Sequence, residues 1–533
     1  MRITHCSIPT FIFPVSSSAQ PTYAMPTFHI LKPATHTQIF ALHRAGIILA
    51  TLLACLAPPA AKGHDDDRRF LIEHNRLVTE QPAAEAPAGL IVPPGTLLHQ
   101  GRLYEISNHV DHLEPAIYMA LNTGQWDNLA EFLGRYRLLR NHRPALVAMA
   151  NALRARHDGD YRLALRSMRA AQAAEPGDAR IQLELARLLF EDRQDANARK
   201  YFEQARFAAL PDYARMLAGQ YLSTLEARAG WRGIAAIGMG RNSNVNQANG
   251  HHSCLAEFMN ICLYERRMPR PIGVGMASYE ISLERRVNLR GNHNLLMRPL
   301  VYGSQYQRGK LPRASPIGNY SSNTSLLYLG YQYLDARNDI GVLTYLDHYY
   351  RDGYTNYLAG GLQTEWRHSL NKHWQLGAQL EAKRYRYRAQ ARRYADDNTQ
   401  YQSGIFASYA PSPFTSMHAG LDFTRKSYAV PQASNKALAL RTGIAHALMG
   451  GRNMYVNAQG IYRLSRNDAH DGFLGRRRAD TQRIYMAAIG AHTWKIAGMT
   501  PELRIRHTVN SSNLDWAFGY KQTEITMQLR RRI

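Results

Sequence analysis

From Trp231 to the C-terminus the chain alternates apolar and polar residues position by position. Ala277, Tyr279, Ile281 and Leu283 alternate with Ser278, Glu280, Ser282 and Glu284. Met417, Ala419, Leu421 and Phe423 alternate with His418, Gly420, Asp422 and Thr424. Ile525, Met527 and Leu529 do the same against Glu524, Thr526, Gln528 and Arg530. Successive side chains of a strand point to opposite faces, so a period of two predicts strands with one apolar and one polar face. Such segments fall near 231–245, 274–288, 292–306, 322–334, 338–350, 356–370, 373–389, 400–410, 416–428, 437–449, 452–464, 480–494, 500–510 and 520–533, fourteen in all. Many exceed the ~5–6 residues usual for soluble strands.

A soluble sandwich shows the same alternation, but the connections separate the two cases. Those after odd-numbered strands are long: 246–273, 307–321, 390–399, 429–436, 465–479 and 511–519. Those after even-numbered strands are short: Arg290–Asn292, Asp335–Asp339, Asn371-Lys372, Pro411–Pro413, Gly450-Gly451 and Ala497-Gly498. Arg351–Tyr354, after the fifth strand, is the one short connection in a long slot. Short turns on one side, long loops on the other and an even strand count describe an outer-membrane barrel. The prediction is a fourteen-stranded antiparallel transmembrane β-barrel over 229–533, with lipid outside, a wet lumen and both ends on the periplasmic side.

Ahead of Trp231 the period lengthens to that of a helix. Residues 145–211 repeat every 34 positions: Ala152, Ala164, Met168 and Ala171 recur as Ala186, Ala198, Phe202 and Ala205, and Pro176 as Pro211 one residue out of register. Small residues let two antiparallel helices approach and larger ones fill the gap between pairs, which is the tetratricopeptide pattern. Gly159 and Tyr161 mark the turn inside the first repeat; the second lacks them. A further helical stretch over Pro115–Leu138 and another over Asp212–Arg228 bring the predicted domain, 100–228, to three helix pairs, close to the minimum for a stable solenoid. Such domains present a concave face to proteins or peptides, which points to a protein partner.

The first residues carry different information. His43-Arg44, the apolar run Ala45–Leu56, then Ala57–Ala61 and the polar Gly63–Asp67 follow the order of a secretory signal peptide. Residues 1–62 are therefore assigned as a leader, with Met25 as an alternative start, and 63–99 as a flexible linker. Leu53-Ala54-Cys55 loosely resembles a lipoprotein cleavage box, which makes Cys55 a candidate for lipidation.

Composition adds a charge of +24, a hydrophobic content of 45% and a mean hydropathy of −0.40. After the leader no run of ~20 apolar residues offers a helical span, a test that leaves barrels untouched. The cations are spread over the last 300 or so residues, often beside tyrosine as in Arg384–Arg388, and no nucleic-acid motif accompanies them, so nucleic acid is not an expected partner. Anionic lipid headgroups and acidic clients are. Beyond the leader only Cys254 and Cys262 remain, eight positions apart in one predicted loop; in an oxidising compartment a local disulfide is the simple assignment. No metal-ligand spacing, nucleotide loop or nucleophile elbow appears, and Asp111-His112 and His251-His252 are lone groups. No catalytic residue, metal site or cofactor is therefore assigned.

A signal peptide, a short tetratricopeptide-type domain and a fourteen-stranded barrel resemble the surface lipoprotein assembly modulator (Slam) family over roughly 100–533. The segments that carry the resemblance are Arg187–Phe202, Asn242–Ala248 (NSNVNQA), and Met499–Leu503 with Arg506-His507. The closing Arg530–Ile533 lacks the terminal aromatic common in such barrels. The resemblance implies a non-enzymatic outer-membrane translocator. Its clients would be surface lipoproteins or haemophores with a C-terminal barrel domain, delivered with periplasmic chaperones through a membrane of lipid and lipopolysaccharide. It also makes Asn242, Asn244 and Asn246 candidate client or rim contacts; the plain alternative is that they finish a strand. Two other functions fit the barrel: a diffusion porin whose helical domain docks a partner, and a polysaccharide-export barrel with a repeat scaffold, a class with many more repeats than two.

Overall fold

The structure, a computed structural model, describes residues 95–99, 102–207, 211–307, 320–392, 395–448, 454–472, 474–491 and 493–533. The leader, Met25 and Cys55 lie outside the described residues.

A hairpin of β1 (Thr96–His99) and β2 (Arg102–Glu105) opens the described chain. Its first strand falls inside the segment expected to be linker; Asn128 Nδ2 donates to the Thr96 carbonyl at 2.7 Å and Gln125 Nε2 to that of Leu98 at 2.8 Å, which ties the strand to the helices. Seven helices follow: α1 (Val110–Thr123), α2 (Trp126–Arg137), α3 (Pro144–His157), α4 (Tyr161–Ala174), α5 (Ala179–Glu191), α6 (Asp195–Phe207) and α7 (Asp212–Ala229). The helical stretch expected around Pro115–Leu138 is two helices. Gly124, at φ +70°, closes α1 with its N–H on the Ala120 carbonyl, a left-handed cap that glycine adopts without a Cβ penalty. The eight apolar residues of the 34-residue period are all at most 1% exposed. Asp160 caps α4 by accepting the Leu163 N–H, and Asp178 caps α5 by accepting those of Arg180 and Ile181. Pro211 stands at the N-cap of α7.

The turn within each repeat shows how the period is kept without its glycine. Gly159 has φ +78°; 34 residues later Arg193 takes the same left-handed conformation at φ +64°. That costs an L-residue ~1–2 kcal/mol.

The remainder closes into a barrel. β3 (Arg232–Asn242) is followed in the first long loop by a separate hairpin, β4 (His252–Phe258) and β5 (Ile261–Arg267). The wall continues with β6 (Val274–Arg290), β7 (His293–Tyr306), β8 (Ser322–Leu334), β9 (Asn338–Arg351), β10 (Tyr354–Ser369), β11 (Trp374–Tyr387) and β12 (Asn398–Ser412). β13 (Thr415–Tyr428), β14 (Asn435–Leu448), β15 (Met454–Asn467), β16 (Ala479–Ala491), β17 (Thr500–Ser512) and β18 (Tyr520–Arg532) complete it, with a single helical turn, α8 (Asp515–Phe518), in the last long loop. Each barrel strand pairs antiparallel with its sequence neighbour, and β18 pairs with β3 to close fourteen strands. The alternation predicts every one of them to within a few residues. The exposed outer face carries Leu329, Leu346, Leu380, Ile405, Leu440 and Met527 among others.

The lumen is less open than a polar inner face implies. Leu296, Leu300, Leu326, Tyr328, Leu343 and Tyr345 form one buried apolar cluster inside, and Ala439, Ile461, Ile484 and Met486 form another. Tyr302 packs against both, so the side chain of one wall reaches the far wall.

Candidate functional site: docked repeat, charged lumen and seam

The helical domain is fixed to the barrel through its turns. Asp192 and Gln194, in the turn between α5 and α6, are 7% and 8% exposed. Asn292, in the turn between β6 and β7, donates its amide to the carbonyl and the carboxylate of Asp192. The N–H of Ala336, between β8 and β9, donates to Asp192 Oδ1 at 3.3 Å, and the N–H of Ala196 donates to Asn288 Oδ1 at 3.2 Å. Burial pushes the Asp192 carboxyl above its ordinary value, against the hydrogen bonds from Gln194, Ala336 and Asn292. At a second point a Cβ on Gly159 would sit 2.8 Å from the Arg337 guanidinium. At a third, Arg285 donates to the Ala229 carbonyl at 3.3 Å. The strained Arg193 thus lies in the turn that the barrel holds most closely, where surrounding contacts keep an unfavourable φ in place.

Just inside this rim an ion-pair network crosses five strands. Glu284 lies 3.1 Å from Arg232, 3.3 Å from Arg286 and 3.1 Å from Arg298; Arg298 reaches Glu365 at 3.7 Å, and Arg367 joins Glu365 to Asp339. A second network joins Glu502 to Arg530 at 2.7 Å and to Arg504 at 3.4 Å, with Arg504 3.6 Å from Glu280 and Tyr455 donating to Glu502 at 2.6 Å. Lys383, fully buried, pairs with Asp347, and its Nζ is 4.5 Å from the centre of the Tyr385 ring. Buried charges need such partners, because an unpaired one costs several kcal/mol. The signal for these groups is in the sequence, as charged residues on the polar phase of the alternation, but their pairing across strands needs the register.

By register pairs the seam between β3 and β18 is the shortest junction of the wall, with backbone bonds of Gly233 to Ile533 and of Ser243 to Thr523 continuing it at its two ends. It has nine register pairs, from Asn242↔Glu524 to Ile234↔Arg532, where β14 and β15 share fourteen, from Asn435↔Asn467 to Leu448↔Met454. A Cβ on Gly240 would lie 1.9 Å from the Ile525 carbonyl, so β18 approaches β3 where no side chain fits. Behind the seam lies a lumenal cavity of ≈ 110 Å³ lined by Glu280, Tyr302, Met486, Arg504, Glu524 and Gln528 among others.

The three asparagines lie at the far end of this seam. Asn242 is fully buried: its Nδ2 donates to Glu524 at 2.7 Å, and its Oδ1 accepts from Gln522 at 3.1 Å and from the Asn244 N–H at 2.8 Å. Asn244, 1% exposed, donates to the carbonyls of Lys521 and Ala248 and accepts the Ala248 N–H. Asn246 bridges Arg270 and Ile272 at the base of the loop that returns to β6. The segment sews strand to strand and loop to loop. Beyond it, Cys254 and Cys262 are joined by a disulfide across the β4–β5 hairpin, whose Arg266 stacks on Trp516 at 3.7 Å beside the last loop. Among the described residues no cluster of three His, Cys, Asp or Glu side chains is placed to hold a metal ion.

Residues 231–533 match the model of the surface lipoprotein assembly modifier family, and residues 102–202 match that of its N-terminal tetratricopeptide repeats. The chain belongs to the surface lipoprotein assembly modifier family. It is 25% identical over 453 residues to the hemophilin secretion modulator of Acinetobacter baumannii, covering 81% of this chain and 88% of that one. It is 27% identical over 437 residues to surface lipoprotein assembly modifier 2 of Neisseria meningitidis, covering 77% and 84%. It is 24% identical over 430 residues to the surface lipoprotein assembly modifier of Moraxella catarrhalis, covering 79% and 80%. The family is one of transport and assembly, and its barrel places the protein in the outer membrane.

Proposed function

We propose that this member moves client proteins across the outer membrane, the clients being surface lipoproteins or secreted haem-binding proteins of the kinds named for its relatives. The observation that carries the proposal is the bonded junction between the repeat and the rim. Asp192 is bonded to the turns of β6–β7 and β8–β9, Ala229 to Arg285 of β6, and Gly159 lies against Arg337, so whatever the helical domain binds is delivered beneath the barrel mouth. In this scheme the leader 1–62 directs export, 63–99 links, and 100–228 receives the client from periplasmic chaperones. The barrel, 229–533, then offers a charged lumen or the short β3–β18 seam as the way out. No nucleotide triphosphate is available at the outer membrane; folding of the client outside makes the movement one-way. Asn242, Asn244 and Asn246 act here by holding the outer end of the seam, and the Cys254–Cys262 bridge stiffens the finger beside it. The outer wall meets lipid and lipopolysaccharide.

A porin needs a water-filled passage, and Tyr302, touching both lumenal apolar clusters, disfavours that second function. Protease shaving of candidate lipoproteins, or assay of haem-binding protein in the medium, on cells with the full chain and with residues 100–228 deleted is the test. Loss of display with the barrel still folded is expected. Unchanged display of every client overturns the proposal.

A further inference from the structure

At the barrel end away from the helical domain, three adjacent strands set three cations side by side on the outer wall. Arg425 on β13 stands opposite Lys436 on β14, and Lys436 stands opposite Arg466 on β15. Neighbouring strands are ~4.8 Å apart, so the three charges fall within a row of roughly 10 Å. Like charges directly opposed destabilise a sheet. Asp468, at the start of the following loop, ion-pairs with Arg425 at 2.5 Å. Lys436 and Arg466 are exposed, and among the described residues no carboxylate lies within ion-pair distance of either.

The same three strands continue toward the membrane with a different chemistry. The next row on this face is Phe423, Leu438 and Leu464, paired in register and each 45–49% exposed. The row after it is Leu421, Leu440 and Tyr462, again exposed and again in register. Each step of two residues is ~7 Å along the strand. A cationic row therefore lies one step above an apolar wall, the spacing of a lipid phosphate above its acyl chains.

We propose that Arg425, Lys436 and Arg466 form a binding site on the outer wall for the phosphate groups of a phosphorylated, acylated glycolipid of the outer leaflet, whose chains lie on the leucine rows below. The inference rests on the outer-membrane placement of the barrel and is independent of which client it carries. Asp468 neutralises Arg425 and its charge also reaches Lys436, so the row keeps a net positive charge centred on Lys436 and Arg466. A phosphate matches that charge, its oxygens accepting from the lysine and the guanidinium groups. The site lies on β13–β15, separated from the β3–β18 seam by β16 and β17.

The test uses the purified full chain in detergent. Binding of phosphorylated lipid A and of lipid A stripped of its phosphates, with the same acyl chains, is followed by native mass spectrometry and by thermal shift. The phosphorylated form is expected to bind tighter by roughly tenfold or more, given the ~1 kcal/mol that each basic group near a charged lipid surface contributes. The double variant Lys436→Ala/Arg466→Ala is expected to bring the two forms within about twofold of each other. Without lipid, its thermal midpoint is expected to stay close to that of the parent chain, since the repulsion removed from Arg425 and Arg466 is offset by the attraction lost to Asp468; a purely structural role predicts a clear drop. Equal binding of both forms by the parent chain overturns the proposal, as does a preference that survives in the variant. Binding of an acidic client lost in the variant, with no lipid preference in the parent, also overturns it and assigns the row to the client. Loss of lipid preference with client display intact leaves the proposed transport function standing; loss of display with lipid preference intact removes that function alone.

Discussion

Asn244 uses both ends of its amide inside the chain, on Lys521, on Ala248 and on the Ala248 N–H. Replacing it with alanine removes three bonds whose backbone partners are only partly buried, so the cost is about 1 kcal/mol, toward the lower end for a lost partner. Asn246 makes two comparable bonds but is only half-buried, so water replaces it more easily. Asn244→Ala is therefore expected to lower the temperature at which the purified barrel loses its folded, heat-modifiable migration, and Asn246→Ala to lower it less. Equal shifts for the two would remove the seam role given to Asn244. Sequence alone leaves these asparagines either as client or rim contacts or as the finish of a strand, because the partners of Asn242 and Asn244 on β18, some 280 residues away, are invisible along the chain. The same holds for Glu284: its place on the polar phase is legible, but its three arginine partners come from β3, β6 and β7.

Among the elements, those with a regular period were legible and those without were not. Fourteen wall strands follow from alternation because each keeps one face in lipid and one inside. The β4–β5 hairpin breaks its own alternation with register shifts at Cys254, Ala256 and Glu257, and its two turn residues, Met259 and Asn260, both take positive φ without a glycine to mark them. The docking of the α5–α6 turn escapes sequence for another reason. Its glycine position is filled by Arg193, and its key contact is a buried carboxylate on a turn where polar residues are ordinary. That carboxylate is expected to make docking depend on pH. Burial raises the docked Asp192 above the ordinary carboxylate value, so it holds a proton more firmly than a solvated carboxylate does. Its contribution to docking is fully present below the ordinary carboxylate value and is lost as pH rises through the raised one. Wild type is thus expected to gain in docked fraction relative to Asp192→Asn as pH falls from neutral through that window, read from spin-label distances between helical domain and barrel. A difference that does not change with pH would show that Asp192 is not the titrating group.

For the whole molecule the open question is how a folded wall passes a polypeptide. The lumen is crossed by Tyr302 and braced by two ion-pair networks, so clearing it requires separating buried opposite charges, each costing several kcal/mol if left unpaired. The seam needs less. It has nine register pairs, prolonged only by backbone bonds of Gly233 with Ile533 and of Ser243 with Thr523, and its side-chain bonds are concentrated at its outer end. Met239 and Met527 face each other in register on its lipid side. Cysteines placed there, Met239→Cys with Met527→Cys, are at cross-strand separation, within the range a disulfide spans. If clients leave through the seam, oxidation of this pair is expected to stop surface display or secretion, and reduction to restore it. A matched pair across a longer junction, Leu438→Cys with Leu464→Cys, is expected to leave display unchanged when oxidised. Should the seam lock permit normal display, passage runs through the lumen, and Tyr302→Ala is then the variant expected to raise ion conductance and client release together. The two routes make opposite demands on the same closed barrel, and the lock distinguishes them without unfolding it.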